Sequence, residues 1–500
     1  MSINRMMARG AAWMIALRLF HRGIGFISTL ILARLLLPED FGLVAMATVF
    51  MHLLMAVSDF SVHVRLIQKT DIDTEDMNSA WSLQLLVGVC QGTILLILSQ
   101  PIATFYNEPR LIPVLLILAL IACIKGLKNI GVVMFQREMT FNKDFTLMAI
   151  QRVAMFIITV ATAVIWRSYW ALLAGMLTGV LTECGLSYLM HAHRPRWCRS
   201  RWGEIFHFSK WLMLNNLLAF LSNRAPDLVV GRLIGPKAVG LFSVGYELSM
   251  LPSTELVAPI NRALLPGFSR KREESGGVEK VYLDVLGLVA LLVLPAGIGI
   301  AATASVVIPF LLGNKWIEVV PIVQYLAVSG AITASFANNW SVYLAIGKPH
   351  LTTIILLSTA FLLVASTIYG SISGSVITIA QLYLFSNVFM AIVGVVIILN
   401  TINVSFRDYV KVTWRPIVSC LIMYFVVEAF LDLFFDYESL AFASICSISV
   451  GFFSYVLAIL LIWYFSRRPD GAEVCAINFC LDFIRKKSPD IANILSRAIK

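Results

Sequence analysis

Apolar stretches about twenty residues long recur along this chain from one end to the other, and that recurrence limits what it can fold into more than any other feature. Crossing about 30 Å of hydrocarbon at 1.5 Å per residue takes about twenty apolar residues. Fourteen such stretches are expected, at 11–33, 41–62, 79–100, 113–134, 146–166, 170–190, 211–231, 239–262, 282–303, 318–341, 350–370, 375–398, 413–434 and 440–464. Over the 500 residues, 59% are hydrophobic and 14% charged, with mean hydropathy +0.83. A soluble domain carries about 45–50% apolar and about 25% charged residues. The expected class is therefore an all-α polytopic membrane protein, with no cleaved leader expected before Arg18 and Arg22 in the first stretch.

The charges orient the spans. Six of the 39 Lys and Arg fall in connections on one face, and four arginines lie deep in spans. The other 29 belong to the opposite face, counting span ends with the face they adjoin. The richest segments are HAHRPRWCRSRWGEIFHFSK (191–210), FSRKREESGGVEK (268–280) and the C-terminal tail. This asymmetry puts both termini in the cytoplasm. It also explains the formal charge of +10 without a nucleic-acid partner. The tail 466–500 reads as cytoplasmic and amphipathic, with Ile477, Cys480, Leu481 and Ile484 on one face of an interfacial helix. The eight scattered cysteines form no CxxC, and no HExxH, GxSxG or Walker motif is present, so no catalytic or metal site is expected.

Residues 34–43 read RLLLPEDFGL and residues 232–241 read RLIGPKAVGL, sharing Arg, Leu, Pro, Gly and Leu at a spacing of 198 residues. The copies follow the first and seventh spans, so they leave on the same face. That predicts a parallel repeat of six helices: an N-lobe at 1–200, a C-lobe at 201–400, and two further spans at 401–465. Pro and Gly also punctuate tight turns, which is the purely local reading of the motif.

Ionisable side chains inside spans are costly and mark candidate sites. Arg18 and Arg22 stand one helical turn apart on the first span, with His21 and Gly25 beside them. Arg22 lies eleven residues in, roughly 16 Å by helical rise, with no carboxylate on its own helix. Arg224 of the seventh span is its counterpart in the second copy, although Asp227 three residues on could hold it in a purely structural ion pair. Guanidinium groups facing a cleft would suit an anion such as phosphate. Arg152, Asp59 and Asp284 lie nearer an interface, where a charged head can snorkel. Pro252 and Pro259 in the eighth span and Pro295 in the ninth predict broken helices, either at moving parts or as simple packing kinks. Glu247 and Glu255 flank the first of these prolines and, with Asp227, are candidates for coupling to H+ or Na+.

The stretches ILARLLLPEDFGLVAM (31–46), FQREMTFNKDF (135–145), DLVVGRLIGPKAVGLFSVGYEL (227–248), INRALLPGFSR (260–270) and LLGNKWIEVVPIVQYLAVSG (311–330) carry a family resemblance. Through them the chain resembles the Wzx-type flippases of the multidrug/oligosaccharidyl-lipid/polysaccharide exporter superfamily, colanic-acid-exporter branch. The resemblance implies two six-helix lobes and flipping of undecaprenyl-diphosphate-linked oligosaccharide across the bacterial inner membrane by alternating access. Exopolysaccharide, capsule or O-antigen assembly would use that activity, next to a polymerase machinery. It also implies arginines meeting the diphosphate, a placement matched by Arg18 and Arg22 and less closely by Arg224. No coupling carboxylate is matched residue by residue. A drug exporter of the same superfamily would call for acids and aromatics in the cleft. A membrane enzyme would call for a long catalytic loop, and a scaffold for intramembrane arginines that tolerate replacement.

Overall fold

The computed structural model describes residues 3–58, 62–69, 71–203, 216–217, 220, 224, 226–257, 277–336, 338–434, 439–469 and 471–474. Among these the secondary structure is helical and no strand occurs. Eleven helices are long and apolar enough to cross a membrane, or twelve if Leu111–Gly126 and Ile130–Arg137, bent by 70°, count as one. They correspond to every expected span except the fourth, which is the bent pair, and the seventh and eighth, which lie partly outside the described residues. The expected interfacial helix from Ile477 and Pro259 also lie outside them.

The chain forms two compact units: residues 1–243, 311–316 and 367–376 in the first, and 244–310, 317–366 and 377–500 in the second. The first unit is built from α1 (Ile3–Leu35), α2 (Pro38–Ser58), the short α3 (Val62–Gln68), α4 (Thr74–Tyr106), α5 (Leu111–Gly126), α6 (Met134–Arg137), α7 (Phe141–Trp166), α8 (Trp170–Met190) and the start of α9 (Pro236–Ser249). In a bilayer no hydrophobic force pulls helices together, so close backbone approach at small residues must do it. The α4–α5 pair does this through Gly88 and Gly92. A Cβ at Gly88 would stand 2.7 Å from the Gly126 Cα, and one at Gly92 would stand 2.8 Å from the Ala119 carbonyl oxygen.

The duplicated motif has a structural use. Each copy places its proline at the first residue of a helix, where the missing N–H costs nothing. The turn into the second copy passes through Gly235 at φ +111°, which a side chain would strain. The two helix starts then pack on each other reciprocally. A Cβ on Gly42 would strike the Pro236 carbonyl and stand 2.9 Å from the Gly240 nitrogen. A Cβ on Gly240 would strike the Pro38 carbonyl and stand 3.0 Å from the Gly42 nitrogen. Residue i of one copy meets residue j of the other and j meets i, the pattern of a local two-fold.

The second unit is organised around α10 (Gly277–Leu312), against which pack α11 (Val319–Phe336), α12 (Asn338–Ala345), α13 (Pro349–Ile372), α14 (Val376–Ile402), α15 (Phe406–Phe434) and α16 (Leu440–Phe465). Tyr282, Leu286, Val289 and Val293 of α10 are buried with Tyr343, Ile398 and Leu399. Its other face buries Leu291 and Leu294 with Met423, Val427, Tyr455 and Ile459. The expected break at Pro295 is absent, and α10 runs through it. Proline removes the hydrogen bond to the carbonyl four residues back, here Leu291. Tyr455 Oη donates to that oxygen at 2.8 Å, so the freed carbonyl is satisfied and the helix continues. The irregularity lies instead after Pro252, as a π turn at Ser253–Val257.

Candidate functional site

Arg18, His21 and Arg22 are half-buried on α1. The helix is pinned to α7 by Phe145, whose ring lies 4.9 Å from Trp13 and 5.8 Å from Phe20. Arg152 of α7 reaches across to α1. Its guanidinium lies over Gly25, where a Cβ would stand 2.6 Å from Nη2. It is within electrostatic reach of His21 and 3.8 Å from the Met155 sulfur. Gly25 is thus the vacancy that lets a third guanidinium approach the helix carrying Arg18 and Arg22. His21 Nε2 is buried and has no hydrogen-bond partner among the described residues.

Arg224 belongs to another set. Its Nη1 lies 3.6 Å from Asp227 Oδ2, so the i, i+3 pair expected as the structural alternative does form. Asp227 is buried beside Tyr106, and the Arg224 side chain is half exposed. His52 of α2 and Lys125 of α5 lie within electrostatic reach of each other, and Arg224 is also near His52. Sequence reasoning missed His52, which has no motif around it, and Lys125, which reads as an ordinary basic span end. Of the three candidate coupling acids, Asp227 lies in the first unit and the other two in the second: Glu247 is exposed on α9, and Glu255 is half-buried in the π turn. No group of three or more His, Cys, Asp or Glu suited to a metal occurs among the described residues.

The face with few basic residues is closed around the first copy of the motif. Trp316 is fully buried; its ring meets Phe41 edge-on at 5.3 Å and its Nε1 donates to the Ala33 carbonyl at 2.8 Å. Arg34 Nε donates to Leu311 O at 3.1 Å. Asp40 accepts from the Leu37 and Tyr169 backbone N–H groups at 2.9 and 3.0 Å. Connections that the topology assigns to this one face therefore meet there: 36–37, 167–169, 235 and 313–316. The deep arginines of α1 have their helix anchored at this end by backbone contacts and a buried indole.

Residues 31–321, more than half of the chain, match the polysaccharide biosynthesis protein family. The chain belongs to that family. Lipopolysaccharide biosynthesis protein WzxC of Escherichia coli (strain K12) is 22% identical over 425 residues, 83% of this chain and 86% of that protein. Succinoglycan biosynthesis transport protein ExoT of Rhizobium meliloti (strain 1021) is 22% identical over 488 residues, 97% of each. Among solved structures, lipid II flippase MurJ in an inward closed conformation matches with TM-score 0.74 at 14% identity, covering 92% of this chain and 100% of that one. An inward-facing multidrug resistance MATE family transporter of the MOP superfamily matches at 0.56 with 14% identity, covering 76% and 94%. The fold of this polysaccharide biosynthesis family member is thus that of the superfamily its sequence resembles, and it is a multi-pass membrane protein.

Proposed function

We propose that this protein flips an undecaprenyl-diphosphate-linked oligosaccharide across the bacterial inner membrane, from the basic-loop side, taken as cytoplasmic with both termini, to the opposite side. The reading rests on one observation: Arg18 and Arg22 lie a turn apart deep in α1, and Arg152 crosses from α7 to the same helix at Gly25. Three guanidiniums gathered along one apolar helix make a cationic site, and a diphosphate is met bidentately by such forks. A diphosphate and a sugar chain cannot cross lipid unaided, whereas the polyprenyl tail can stay in it. Arg224, held by Asp227, serves as an additional phosphate contact together with Lys125 and His52. Transport is non-enzymatic and follows alternating access between two six-helix lobes, at 1–200 and 201–400. H+ or Na+ coupling would run through Asp227, Glu247 or Glu255.

The test is lipid extraction from a deletion strain complemented with wild type, Arg22→Ala or Arg22→Lys. A diphosphate-linked oligosaccharide is expected to accumulate on deletion and clear with wild type. It should persist with Arg22→Ala at equal protein level, with partial clearance by the lysine variant. Full clearance by Arg22→Ala would remove the cationic site from the mechanism. Accumulation of no lipid-linked intermediate would favour drug export or a scaffold role.

A further inference from the structure

A second site lies in the first unit, lined by residues of α2, α3, α4 and α5 and by none of α1. At the basic-loop end of α2, α4 and α5, a cavity of about 300 Å³ is lined by Ser58, His63, Gln84, Gln91 and Lys125 among apolar side chains such as Met55 and Val87, on a floor that includes Gly88 and Gly126. The floor exists because those glycines let α4 and α5 touch by backbone. The volume is at the small end of ligand sites, about 300–1,000 Å³, which leaves room for about one ring.

The polar groups are arranged in a particular way. Gln84 Nε2 donates to the carbonyls of Gly126 and Lys128 at 3.1 and 2.9 Å. Gln91 Nε2 donates to Ser58 Oγ at 2.6 Å, and Ser58 in turn donates to the Leu54 carbonyl. Both N–H groups of Gln84 are therefore occupied by the protein, and Gln91 has one of its two engaged. The two amide oxygens, Oε1 of Gln84 and of Gln91, accept no hydrogen bond from the described residues. Lys125 adds a cation at the rim, and its neighbour His52 connects it to Arg224. Two fixed acceptors beside a cationic rim suit a ligand that brings hydroxyl donors and an anion together, which is the chemistry of a phosphorylated sugar. An acyl or polyprenyl chain would leave both oxygens unpaired, at a cost.

We infer that this cavity is the subsite for the sugar ring that carries the diphosphate. The inference rests on the flippase reading above and adds to it a place where the glycan is recognised. Gln84 and Gln91 are specificity residues for ring hydroxyls, and Lys125 holds the adjoining phosphate.

The experiment uses the full-length protein in nanodiscs. Binding is measured for undecaprenyl diphosphate, for the same lipid bearing one glucose, galactose or N-acetylgalactosamine, and for glucose 1-phosphate as a soluble competitor. At least one sugar-bearing lipid is expected to bind roughly tenfold more tightly than the bare lipid, the effect of one or two neutral hydrogen bonds. Gln91→Leu should erase that difference while leaving binding of the bare lipid within about twofold, which also shows that the variant is folded. Ser58→Ala, which releases the Gln91 amide, should reduce the difference, and Lys125→Gln should weaken the bare lipid as well. Equal binding of bare and sugar-bearing lipids to wild type, or an undiminished difference in Gln91→Leu, overturns the subsite. Competition by glucose 1-phosphate as strong as by the lipid would assign the cavity to a soluble sugar phosphate instead. Failure of the bare diphosphate lipid to bind wild type at all would count against the flippase reading itself.

Discussion

Replacing Gly42 with alanine adds one methyl group at the point where the two copies of the motif meet. That methyl would overlap the Pro236 carbonyl and lie 2.6 Å from its carbon and 2.9 Å from the Gly240 nitrogen. All three are backbone atoms, so no side chain can rotate away. Ordinary carbon contacts are about 3.5–4.0 Å, and the helix starts must separate by on the order of 1 Å or more. Overpacking of this kind costs about 2–3 kcal/mol against the closed arrangement, or about 30- to 150-fold in its population relative to any state that parts these helices. Gly240→Ala should match it, because the contact is reciprocal. Gly185→Ala is the control: it lies in a helix with nothing within 4 Å of the new Cβ, so it should stabilise by about 0.5–1 kcal/mol. The assay is labelling of a cysteine placed at Lys315 by a membrane-impermeant maleimide, read alongside thermal unfolding in detergent. Faster labelling is expected in both motif variants and unchanged labelling in the control. Wild-type labelling and melting in both Gly42→Ala and Gly240→Ala would refute the argument that this contact holds the face shut.

Other predictions follow from single contacts. Tyr455→Phe removes the only donor found for the carbonyl that Pro295 frees among the described residues, and should destabilise by about 1–3 kcal/mol in thermal or denaturant unfolding. Arg415 and Glu473 form a buried pair, Nε to Oε1 at 3.0 Å, so Glu473→Ala should cost about 3–5 kcal/mol. Arg415→Met with Glu473→Leu should recover most of that loss in the same assay. Burial holds His191 and His193 below the usual histidine range, with Arg194 adding to it. Their neutral forms are favoured in the folded loop, so stability present above pH about 6.5 is lost as pH falls below it. Proteolysis within 191–198 should therefore speed up between pH 7.5 and 5.5, and less so when both are glutamine. Arg152→Leu should impair clearance of the lipid-linked intermediate about as strongly as Arg22→Ala, whereas Arg167→Leu, at a helix end on the closed face, should not.

Hydropathy alone set the class and the positions of most spans, because each depends on a run of neighbouring residues. The motif at 34–43 and 232–241 was visible for the same reason: it is a local pattern written twice. What it does was not legible. That Gly42 and Gly240 touch is a contact across 198 residues of sequence, set by how separate helices pack. Pro295 was misread because proline's effect depends on whether a distant hydroxyl, here that of Tyr455, reaches the freed carbonyl. The approach of Arg152 to α1 was not legible, because that partner helix shows in the sequence only as a glycine at 25. Lys125 and His52, each ordinary on its own helix, came within electrostatic reach of each other, and His52 of Arg224, once α2 and α5 were placed. Sequence determined which residues lie on which span, since that is additive along one helix. Tertiary structure decided which face each helix turns to which neighbour, since that is fixed only when small residues and hydrogen bonds on different helices are satisfied together.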